Sequence, residues 1–372
     1  MSILIIGAGV IGLSIARELH RRGAGPITII DAGHERIGGA SWAAAGMLGP
    51  HAENVTAGVF YDDCCKSNEL YTTFAEDLQE ETGIDIELDR CGSTFLAFSD
   101  SEAAELEGRH HQMLALGARC TVLQQHELQV REPLISLHAV LGLHFPDEGC
   151  VDNRRLMTAL RRYAEINKIA IVNEVAEEVT YVNGETRVRA ADGSAHSAQH
   201  TILATGAWSS LIKIRGLHGN VPVKPIRGQM ISWAGARVLH HIVYSSRGYL
   251  VPRRGGRVLA GATVEDVGFD SNLSPTAAKE LSDAAAEMFP CLGEVEIDDH
   301  WAGLRPCSPD AMPIIGAIDG FPGLWVATAH FRNGILLAPN TAELIADAVL
   351  LGRDDLPAAY SPKRFFGAAM NA

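Results

Sequence analysis

The sequence lacks the features of nucleic-acid-binding and membrane-spanning proteins. Acidic residues outnumber basic ones by 45 to 31, the formal net charge is −14, and no run of Lys and Arg interrupts that excess. A protein that binds a polyphosphate backbone needs the opposite charge. No segment approaches the roughly 18 consecutive apolar residues of a transmembrane helix. We therefore expect no nucleic-acid partner and no membrane span.

Signatures of secretion, metal binding and disulfides are also missing. The apolar start has no basic segment before it and no small-residue cleavage site, so a cytoplasmic location is expected. The seven cysteines include no C-x-x-C spacing, and the histidines form no H-E-x-x-H pattern. These absences argue against a zinc or redox site, and an odd number of cysteines argues against a complete disulfide framework. We predict reduced thiols and no metal.

What is present begins with a nucleotide-binding pattern. The apolar run Ile3–Ile6 predicts a buried strand, GAGVIG follows at 7–12, and residues 13–19 have helical periodicity. A second apolar run, at 27–30, ends at Asp31, nineteen residues after the last glycine. Such glycines permit a tight turn, close approach of a pyrophosphate to the helix N-terminus and close helix packing, while the acid binds a ribose hydroxyl. The complete order predicts dinucleotide binding, and the acid disfavours a 2′-phosphate because it would repel it.

The fingerprint alone does not distinguish FAD from NAD. Residues 38–53, GGASWAAAGMLGPHAE, are small and glycine-rich, so their backbone N–H groups could lie against a flat ring system. The alternative interpretation is a mobile surface loop, for which Trp42, Met47 and Leu48 are poor residues. The chain has no second glycine-rich fingerprint for a nicotinamide cofactor, which favours FAD.

Three separated segments resemble glycine oxidases of the thiamine pathway, which are FAD enzymes of the D-amino-acid oxidase superfamily. They are GASWAAAGMLGPHAE at 39–53, GLRPCSPDAMPIIG at 303–316 and HFRNGILLAP at 330–339. The similarity extends from Ser2 to about Leu351. The resemblance implies FAD as cofactor, a small amino acid as substrate, O₂ as electron acceptor and a homotetrameric assembly.

The order of elements and the resemblance together predict an α/β chain of two domains. One is a discontinuous, Rossmann-type FAD-binding domain, and the other is an α+β substrate-binding domain built on a largely antiparallel sheet. The second prediction rests on residues 222–264, which are rich in β-forming residues separated by Gly/Arg turns. The predicted ranges are 1–83, 148–218 and 306–355 for the FAD-binding domain, and 84–147 and 219–305 for the substrate-binding domain.

Two arginines near the end of the chain are candidate substrate ligands. An amino acid presents a planar carboxylate, which a guanidinium group matches with two parallel N–H groups. The resemblance places Arg305 as the carboxylate ligand and Arg332 as a second active-site residue. The alternatives are ion pairs, of Arg305 with Asp310 or Asp319 and of Arg332 between the domains. A helix beginning at Asn333 would direct its N-terminal dipole to the flavin N1/C2=O edge.

The resemblance assigns further residues to the substrate pocket. Tyr249 matches the family's active-site tyrosine, for which a core tyrosine on a strand is the alternative, and Met47 would contact the ring or the substrate. Two positions depart from the family pattern, because Arg247 replaces a histidine and Val264 replaces a methionine. These departures bear on the preferred substrate. The predicted catalytic residues are Tyr249, Arg305 and Arg332.

The cofactor contacts come from the fingerprint and from segments that the resemblance identifies. The latter include the strand end at Thr205 and the turn that carries Arg332. The predicted FAD-binding residues are Gly7, Gly9, Val10, Ile11, Gly12, Asp31, Ala32, Ala40, Ser41, Ala45, Gly46, Met47, Val175, Thr205, Gly206, Trp208, His330, Phe331, Arg332, Asn333, Gly334, Ile335 and Leu336.

The predicted function is FAD-dependent oxidative deamination of glycine and related amines such as sarcosine, D-alanine and D-proline. The products would be the imine or 2-oxoacid, ammonia and H₂O₂, and the pathway would be thiamine thiazole biosynthesis. One alternative is a D-amino-acid dehydrogenase that passes electrons to a quinone or carrier. Another is a flavin-containing binding subunit without turnover, which the presence of both arginines disfavours.

Overall fold

The structure is a computed structural model that describes residues 1–33, 38–53, 56–236, 239–352 and 356–366. Residues 353–355, the end of the last predicted FAD-binding range, lie outside the described residues. The strands are β1 (Ile3–Ile6), β2 (Ile27–Asp31), β3 (Gly38–Gly39), β4 (Met47–Leu48), β5 (Ser93–Ala97), β6 (Thr121–Gln124), β7 (Leu141–Phe145), β8 (Gly149–Cys150), β9 (Ala170–Asn173), β10 (Ala176–Val182), β11 (Glu185–Ala190), β12 (Ala195–Ala198), β13 (His200–Leu203), β14 (Lys213–Ile214), β15 (Lys224–Trp233), β16 (Ile242–Ser245), β17 (Gly248–Pro252), β18 (Val258–Gly261), β19 (Asp299–Cys307), β20 (Ile314–Ala317) and β21 (Leu324–Thr328).

Helices occupy much of the remaining chain. The α-helices are α1 (Val10–Arg21), α2 (Ala40–Ala43), α3 (Pro50–Glu53), α4 (Val59–Thr82), α5 (Asp100–Ala115), α6 (Gln125–Arg131), α7 (Asn153–Ile166), α8 (Pro275–Met288), α9 (Ala338–Leu351) and α10 (Lys363–Phe366). Short 3₁₀ helices span Gly206–Leu211, Pro290–Glu294 and Ala358–Tyr360.

The first strand lies inside a six-stranded sheet of order β20-β21-β13-β1-β2-β9, which is parallel except for the pair β20–β21. Its side chains alternate between two cores: Ile3 and Ile5 pack with α1, α7 and α9, whereas Leu4 and Ile6 pack with residues of a four-stranded sheet, β12-β11-β10-β14. Because both faces are covered, all four residues of the strand are apolar.

A nine-stranded sheet of order β3-β19-β15-β18-β17-β16-β5-β7-β6 forms the second large layer. Its pairs are antiparallel except β16–β5 and β19–β3. Helix α8 packs on it through Leu281, Ala285 and Met288. The predicted fold class, an α/β chain with a Rossmann-type sheet and a largely antiparallel second sheet, is confirmed.

The segment after β2 joins the two layers. Its strand β3 pairs with β19 of the nine-stranded sheet, at Gly303 and Leu304, and β4 then pairs with β8. The carboxyl ends of β1 and β2 therefore face β19 across the space between the layers. In an open α/β sheet this carboxyl edge is where ligands bind.

Candidate active site

A cavity of about 1250 Å³ runs between the two sheets. It begins at the carboxyl ends of β1, β2 and β9 and ends among β16, β17 and β19. The predicted residues that line it are Gly7, Gly9, Val10, Ile11, Asp31, Ala32, Ala40, Ser41, Ala45, Gly46, Met47, Val175, Thr205, Gly206, Trp208, Arg247, Tyr249, Val264, Arg305, His330, Phe331, Arg332, Gly334 and Ile335. Residues far apart in the chain thus share one space large enough for a dinucleotide and a small substrate.

Three predicted contacts do not line the cavity. Gly12 lies behind the turn, where a Cβ would be 2.0 Å from the Gly7 carbonyl oxygen, so it allows helix packing and makes no contact with the cavity. Leu336 is buried in the core among the helices, and its carbonyl accepts a hydrogen bond from Ser67. Asn333 is also buried and lies outside the cavity wall. Their neighbours form the cavity wall, and the FAD contacts of these three residues stay predictions.

The glycine turn after β1 has no room for a side chain at its first position. Gly7 has φ +109°, and a Cβ there would lie 2.4 Å from the carbonyl oxygen of Ala204. Helix α1 begins immediately after Gly9, which provides no side-chain cap. The positive end of the helix dipole and its first N–H groups therefore face the cavity, which suits a bound diphosphate.

Asp31 ends β2 at the same edge of the cavity. Its carboxylate accepts hydrogen bonds from the Ala8 N–H at 2.7 Å and the Gly33 N–H at 3.0 Å. The two bonds fix the orientation of the side chain, and each carboxylate oxygen keeps a lone pair for another donor. A ribose hydroxyl can serve as that donor, as the sequence predicts.

The small residues of the segment 38–53 lie under the nine-stranded sheet and are held there. A Cβ on Gly303 would be 2.5 Å from that of Ala43, whose carbonyl accepts from the Trp301 indole N–H at 2.9 Å. The Arg253 guanidinium donates to the Ala45 carbonyl at 2.5 Å. These contacts contradict a mobile surface loop and explain the run of alanines, since larger side chains would separate the segment from the sheet.

Arg305 lies on β19 at the far end of the cavity. Its guanidinium packs flat over Gly228, where a Cβ would be 2.3 Å from Nη1 and Nη2, and Nη1 donates to the Thr263 carbonyl at 3.0 Å. The carboxylates proposed as alternative partners are engaged elsewhere: Asp310 with Arg364 at 2.7 Å and Asp319 with Lys363 at 3.3 Å. The guanidinium is thus positioned by backbone contacts and faces the cavity.

Arg332 reaches the cavity from a tight turn. Phe331 has φ +48°, and its N–H donates to the Pro306 carbonyl at 3.0 Å, so the turn lies directly beside Arg305. The Arg332 guanidinium lies 5.3 Å from the centre of the Phe331 ring, and the side chain is exposed. Arg332 therefore lies in the outer part of the cavity wall.

The predicted helix start at Asn333 is wrong. Residues 331–337 form successive turns, and α9 begins at Ala338, with Pro339 in its first turn. Proline lacks the N–H that a helix interior needs, so it is tolerated only in the first turn. Its position was the sequence signal for the later start. The turns keep N–H groups near the cavity, but the axis of α9 begins further away.

Two aromatic residues that sequence interpretation missed form a wall next to Tyr249. Tyr244 is its cross-strand partner in the hairpin β16–β17, with ring centres 6.0 Å apart. The Tyr244 ring stacks on Phe95 at 4.4 Å, and its hydroxyl donates to the Met47 sulfur at 3.1 Å. The signal in the sequence was the pair of tyrosines on either side of the turn at Arg247.

Arg247 and Val264 lie at the mouth of the cavity. Arg247 forms an ion pair with Glu287 at 3.1 Å, with half of its side chain exposed. Val264 is 56% exposed and follows the residue whose carbonyl holds Arg305. Both departures from the family pattern are thus at the entrance.

His330 is buried beneath the turn and is neutral. Burial lowers the pKa of its imidazole to about 3, and its Nε2 lies 3.0 Å from the Thr341 hydroxyl oxygen. Among the described residues no group of three or more His, Cys, Asp or Glu side chains could hold a metal ion. In the same part of the chain, no helix is long and apolar enough to cross a membrane.

Comparisons with known proteins agree with this site. The family model DAO, FAD dependent oxidoreductase, matches residues 2–348. The chain is 34% identical to a glycine oxidase of Pseudomonas aeruginosa, over 97% of this chain and 98% of that one. It is also 34% identical to the bifunctional protein ThiO/ThiG of Synechocystis sp., over 98% of this chain and 54% of the relative, so it spans about half of that relative's length.

Solved structures of amino-acid oxidising enzymes are also similar to this chain. The crystal structure of a glycine oxidase from Geobacillus kaustophilus superimposes with a TM-score of 0.92 at 30% identity, covering 98% of this chain and 99% of that one. An iminodiacetate oxidase from Chelativorans sp. gives a TM-score of 0.86 at 27% identity, covering 97% and 98% of the two chains. The similarity therefore includes both sheets and the cavity between them.

Proposed function

The chain belongs to the FAD-dependent oxidoreductase family DAO, and from this premise we propose that it oxidises glycine and related small amino acids. The predicted cofactor FAD is that of the family, and the glycine turn, Asp31 and the small residues of 38–53 fit it. The proposed substrates are glycine, sarcosine, D-alanine and D-proline. The proposed products are the imine or 2-oxoacid, ammonia and, with O₂ as acceptor, H₂O₂.

The position of Arg305 is the observation that supports this proposal most strongly. Its guanidinium is held over Gly228 and by the Thr263 carbonyl, and it faces the cavity beside Tyr249. A substrate carboxylate fits this group with two parallel hydrogen bonds. The α-carbon of a substrate bound in this way would lie towards the interior of the cavity.

The bound FAD supplies the electron acceptor for the α-carbon hydride, and the chain supplies orientation and exclusion of water. Arg305 fixes the carboxylate, and the tyrosine hydroxyl of Tyr249 offers a second hydrogen bond to it. Tyr244 and Phe95 cover one side of the space with aromatic surface. Such a dry wall strengthens the charge-assisted bond to Arg305, because water would otherwise compete for it.

The name of one relative supports a proposed pathway. ThiO/ThiG is a bifunctional protein, and the part that this chain matches is about half of it. We therefore place the proposed reaction in thiamine thiazole biosynthesis. The domain ranges predicted from the sequence are retained as part of the proposal: the six-stranded sheet takes its strands from residues 3–31, 170–203 and 314–328, and the nine-stranded sheet takes most of its strands from 93–145 and 224–307.

Anaerobic mixing of the purified yellow holoenzyme with glycine, sarcosine, D-alanine or D-proline tests the proposal. We expect the flavin absorbance to bleach with at least one of these, and to return when O₂ is admitted, with release of H₂O₂. Ethylamine, which lacks the carboxylate, is the matched control and should bleach the flavin far more slowly. Bleaching without reoxidation by O₂ would favour the dehydrogenase alternative, and no bleaching with any amino acid would refute the proposed substrate class.

The pH dependence of kcat/KM follows from the groups around the cavity. Its carboxylates, within the described ranges, are Asp31, Glu174 and Asp299. Asp31 ends β2 and Glu174 follows β9, both at the carboxyl edge of the six-stranded sheet. Asp299 lies six residues from Arg305 along β19, about 20 Å away at the rise of a strand. None of them is placed to remove a proton at the α-carbon.

We therefore expect the hydride to leave from the neutral amine without a protein base. The protonated amine predominates at low pH, so kcat/KM for glycine should rise with pH and reach a plateau. His330 contributes no step between pH 5 and 9 because its pKa is lowered to about 3. Steady-state rates from pH 5 to above the pKa of the glycine amine provide the test, and a profile without slope would contradict the neutral-amine mechanism.

A further inference from the structure

Helix α7 presents a stripe of four residues to the cavity. Arg154, Met157, Thr158 and Arg161 recur at intervals of three and four residues and all line it. The other basic residues of the helix point elsewhere: Arg155 lies 3.5 Å from Glu87. The stripe lies beside the glycine turn, because α7 packs against α1 in the core.

Arg161 is the member of the stripe that touches the glycine turn. Its Nη2 atom lies 3.4 Å from the Ala8 carbonyl oxygen, between the two glycines of the first turn. No carboxylate oxygen of the described residues lies within 4.0 Å of its guanidinium. Among the residues that the structure describes, this cation at the phosphate-binding turn therefore has a neutral hydrogen-bond partner, the Ala8 carbonyl.

The other arginines of the cavity have different positions. Arg305 and Arg332 lie at the far end, and Arg247 pairs with Glu287. Arg154 stacks on the Trp42 ring at 3.7 Å and lies 3.8 Å from a carboxylate oxygen of Asp299. Among the arginines that line the cavity, Arg161 is therefore the one that contacts the glycine turn.

The backbone of the glycine turn supplies only part of the positive charge and of the hydrogen-bond donors that a diphosphate needs. The N–H of Val10, at the start of α1, already donates to the Ser41 hydroxyl oxygen at 3.0 Å, and Gly9 adds no side-chain donor. A diphosphate carries two negative charges, and a helix N-terminus offers about half of one positive charge. A guanidinium group beside the turn would supply the missing charge and up to two hydrogen bonds.

We propose that Arg161 binds the diphosphate of FAD and neutralises part of its charge. The proposal rests on the FAD cofactor of the family and not on the proposed substrate. In this contact a phosphate oxygen would replace the Ala8 carbonyl, which lies 3.4 Å from Nη2, as the partner of the guanidinium. Arg161 thus acts in retention of the cofactor, at the opposite end of the cavity from the reacting carbon.

Release of FAD from the diluted holoenzyme tests this assignment through flavin fluorescence, without turnover. Arg161→Met keeps the apolar stem and removes the charge, so we expect the Kd for FAD to rise about 10- to 100-fold. Arg161→Lys restores the charge and should recover most of the affinity. Arg162→Met is the matched control, because Arg162 is the next residue, pairs with Glu165 at 3.0 Å and faces away from the cavity.

The salt dependence separates a phosphate contact from a packing effect. In the unaltered protein the Kd should rise with NaCl concentration, since salt screens a charge pair, and the rise should be smaller in Arg161→Met. The visible flavin spectrum should stay the same in all variants. Equal FAD release from Arg161→Met and Arg162→Met, or equal loss in Arg161→Met and Arg161→Lys, would overturn the proposal, as would a loss that occurs only in Arg154→Met.

Discussion

Replacement of Arg305 by methionine should lower kcat/KM for glycine by roughly 30- to 800-fold. The range corresponds to about 2–4 kcal/mol, the usual cost of removing one partner of a charge-assisted pair. The guanidinium is positioned by Gly228 and the Thr263 carbonyl before any substrate arrives, so little entropy is lost when a carboxylate binds. Methionine fills a similar volume without donors, and the effect should appear chiefly as a higher KM.

Three measurements distinguish loss of a carboxylate ligand from general damage. The FAD content and visible spectrum of Arg305→Met should match those of the unaltered protein. The slow oxidation of ethylamine should be unaffected, because that substrate has no carboxylate. Arg254→Met is the control for lost charge on the same sheet, since Arg254 pairs with Asp85 at 2.7 Å outside the cavity. A KM for glycine that stays the same in Arg305→Met would remove Arg305 from the proposed site.

The parts of this site that sequence analysis predicted are local in the chain. The glycine turn, α1 and Asp31 lie within the first 31 residues. Each of them can be recognised from neighbouring residues in the sequence, without knowledge of contacts to distant segments. Arg305 was found by a different route, because a carboxylate substrate requires a guanidinium group and the resemblance indicated which one. The structure adds the reason for its orientation, which is the missing side chain of Gly228 on the neighbouring strand.

The parts that were missed depend on contacts between distant segments. Phe95 lies opposite Tyr244 because β5 pairs in parallel with β16, about 150 residues further along the chain, and no local pattern specifies that register. The sequence of α7 contains four arginines, and it does not indicate which of them face solvent. Only the packing of α7 beside the glycine turn shows that one stripe of this helix borders the cavity.

A buried carboxyl group behind the aromatic wall should make the stability of the protein depend on pH. Glu148 is fully buried, accepts hydrogen bonds from the Ser93 hydroxyl at 2.5 Å and the His51 N–H at 2.8 Å, and has its pKa raised by burial to about 7. The ordinary value is 4.5. Between these two pH values the folded protein keeps a proton that the unfolded chain has lost, so this group lowers stability as pH rises.

The neighbouring His51 acts in the opposite direction. Burial lowers the pKa of its imidazole from 6.5 to about 4, so the unfolded chain binds a proton first and stability falls as pH drops through this range. The two slopes largely offset one another between pH 4.5 and 6.5. The effect of Glu148 is therefore best isolated as a difference between two variants measured at the same pH.

Relative to the unaltered protein, Glu148→Gln should be more stable at pH 8 than at pH 5. The difference in the pKa of Glu148 between the folded and unfolded states changes the free energy of unfolding by about 3 kcal/mol, which corresponds to roughly 4 °C in Tm for a chain of this size. We expect the difference in Tm between Glu148→Gln and the unaltered protein to increase from pH 5 to pH 7 and then to level off, because glutamine keeps the shape of the side chain and never ionises. Glu107→Gln, at an exposed position of α5, should give a difference that does not change with pH. A constant difference for Glu148→Gln as well would mean that the buried carboxyl group is already ionised at pH 5, stabilised by Arg109, whose positive charge opposes the effect of burial on the pKa of Glu148.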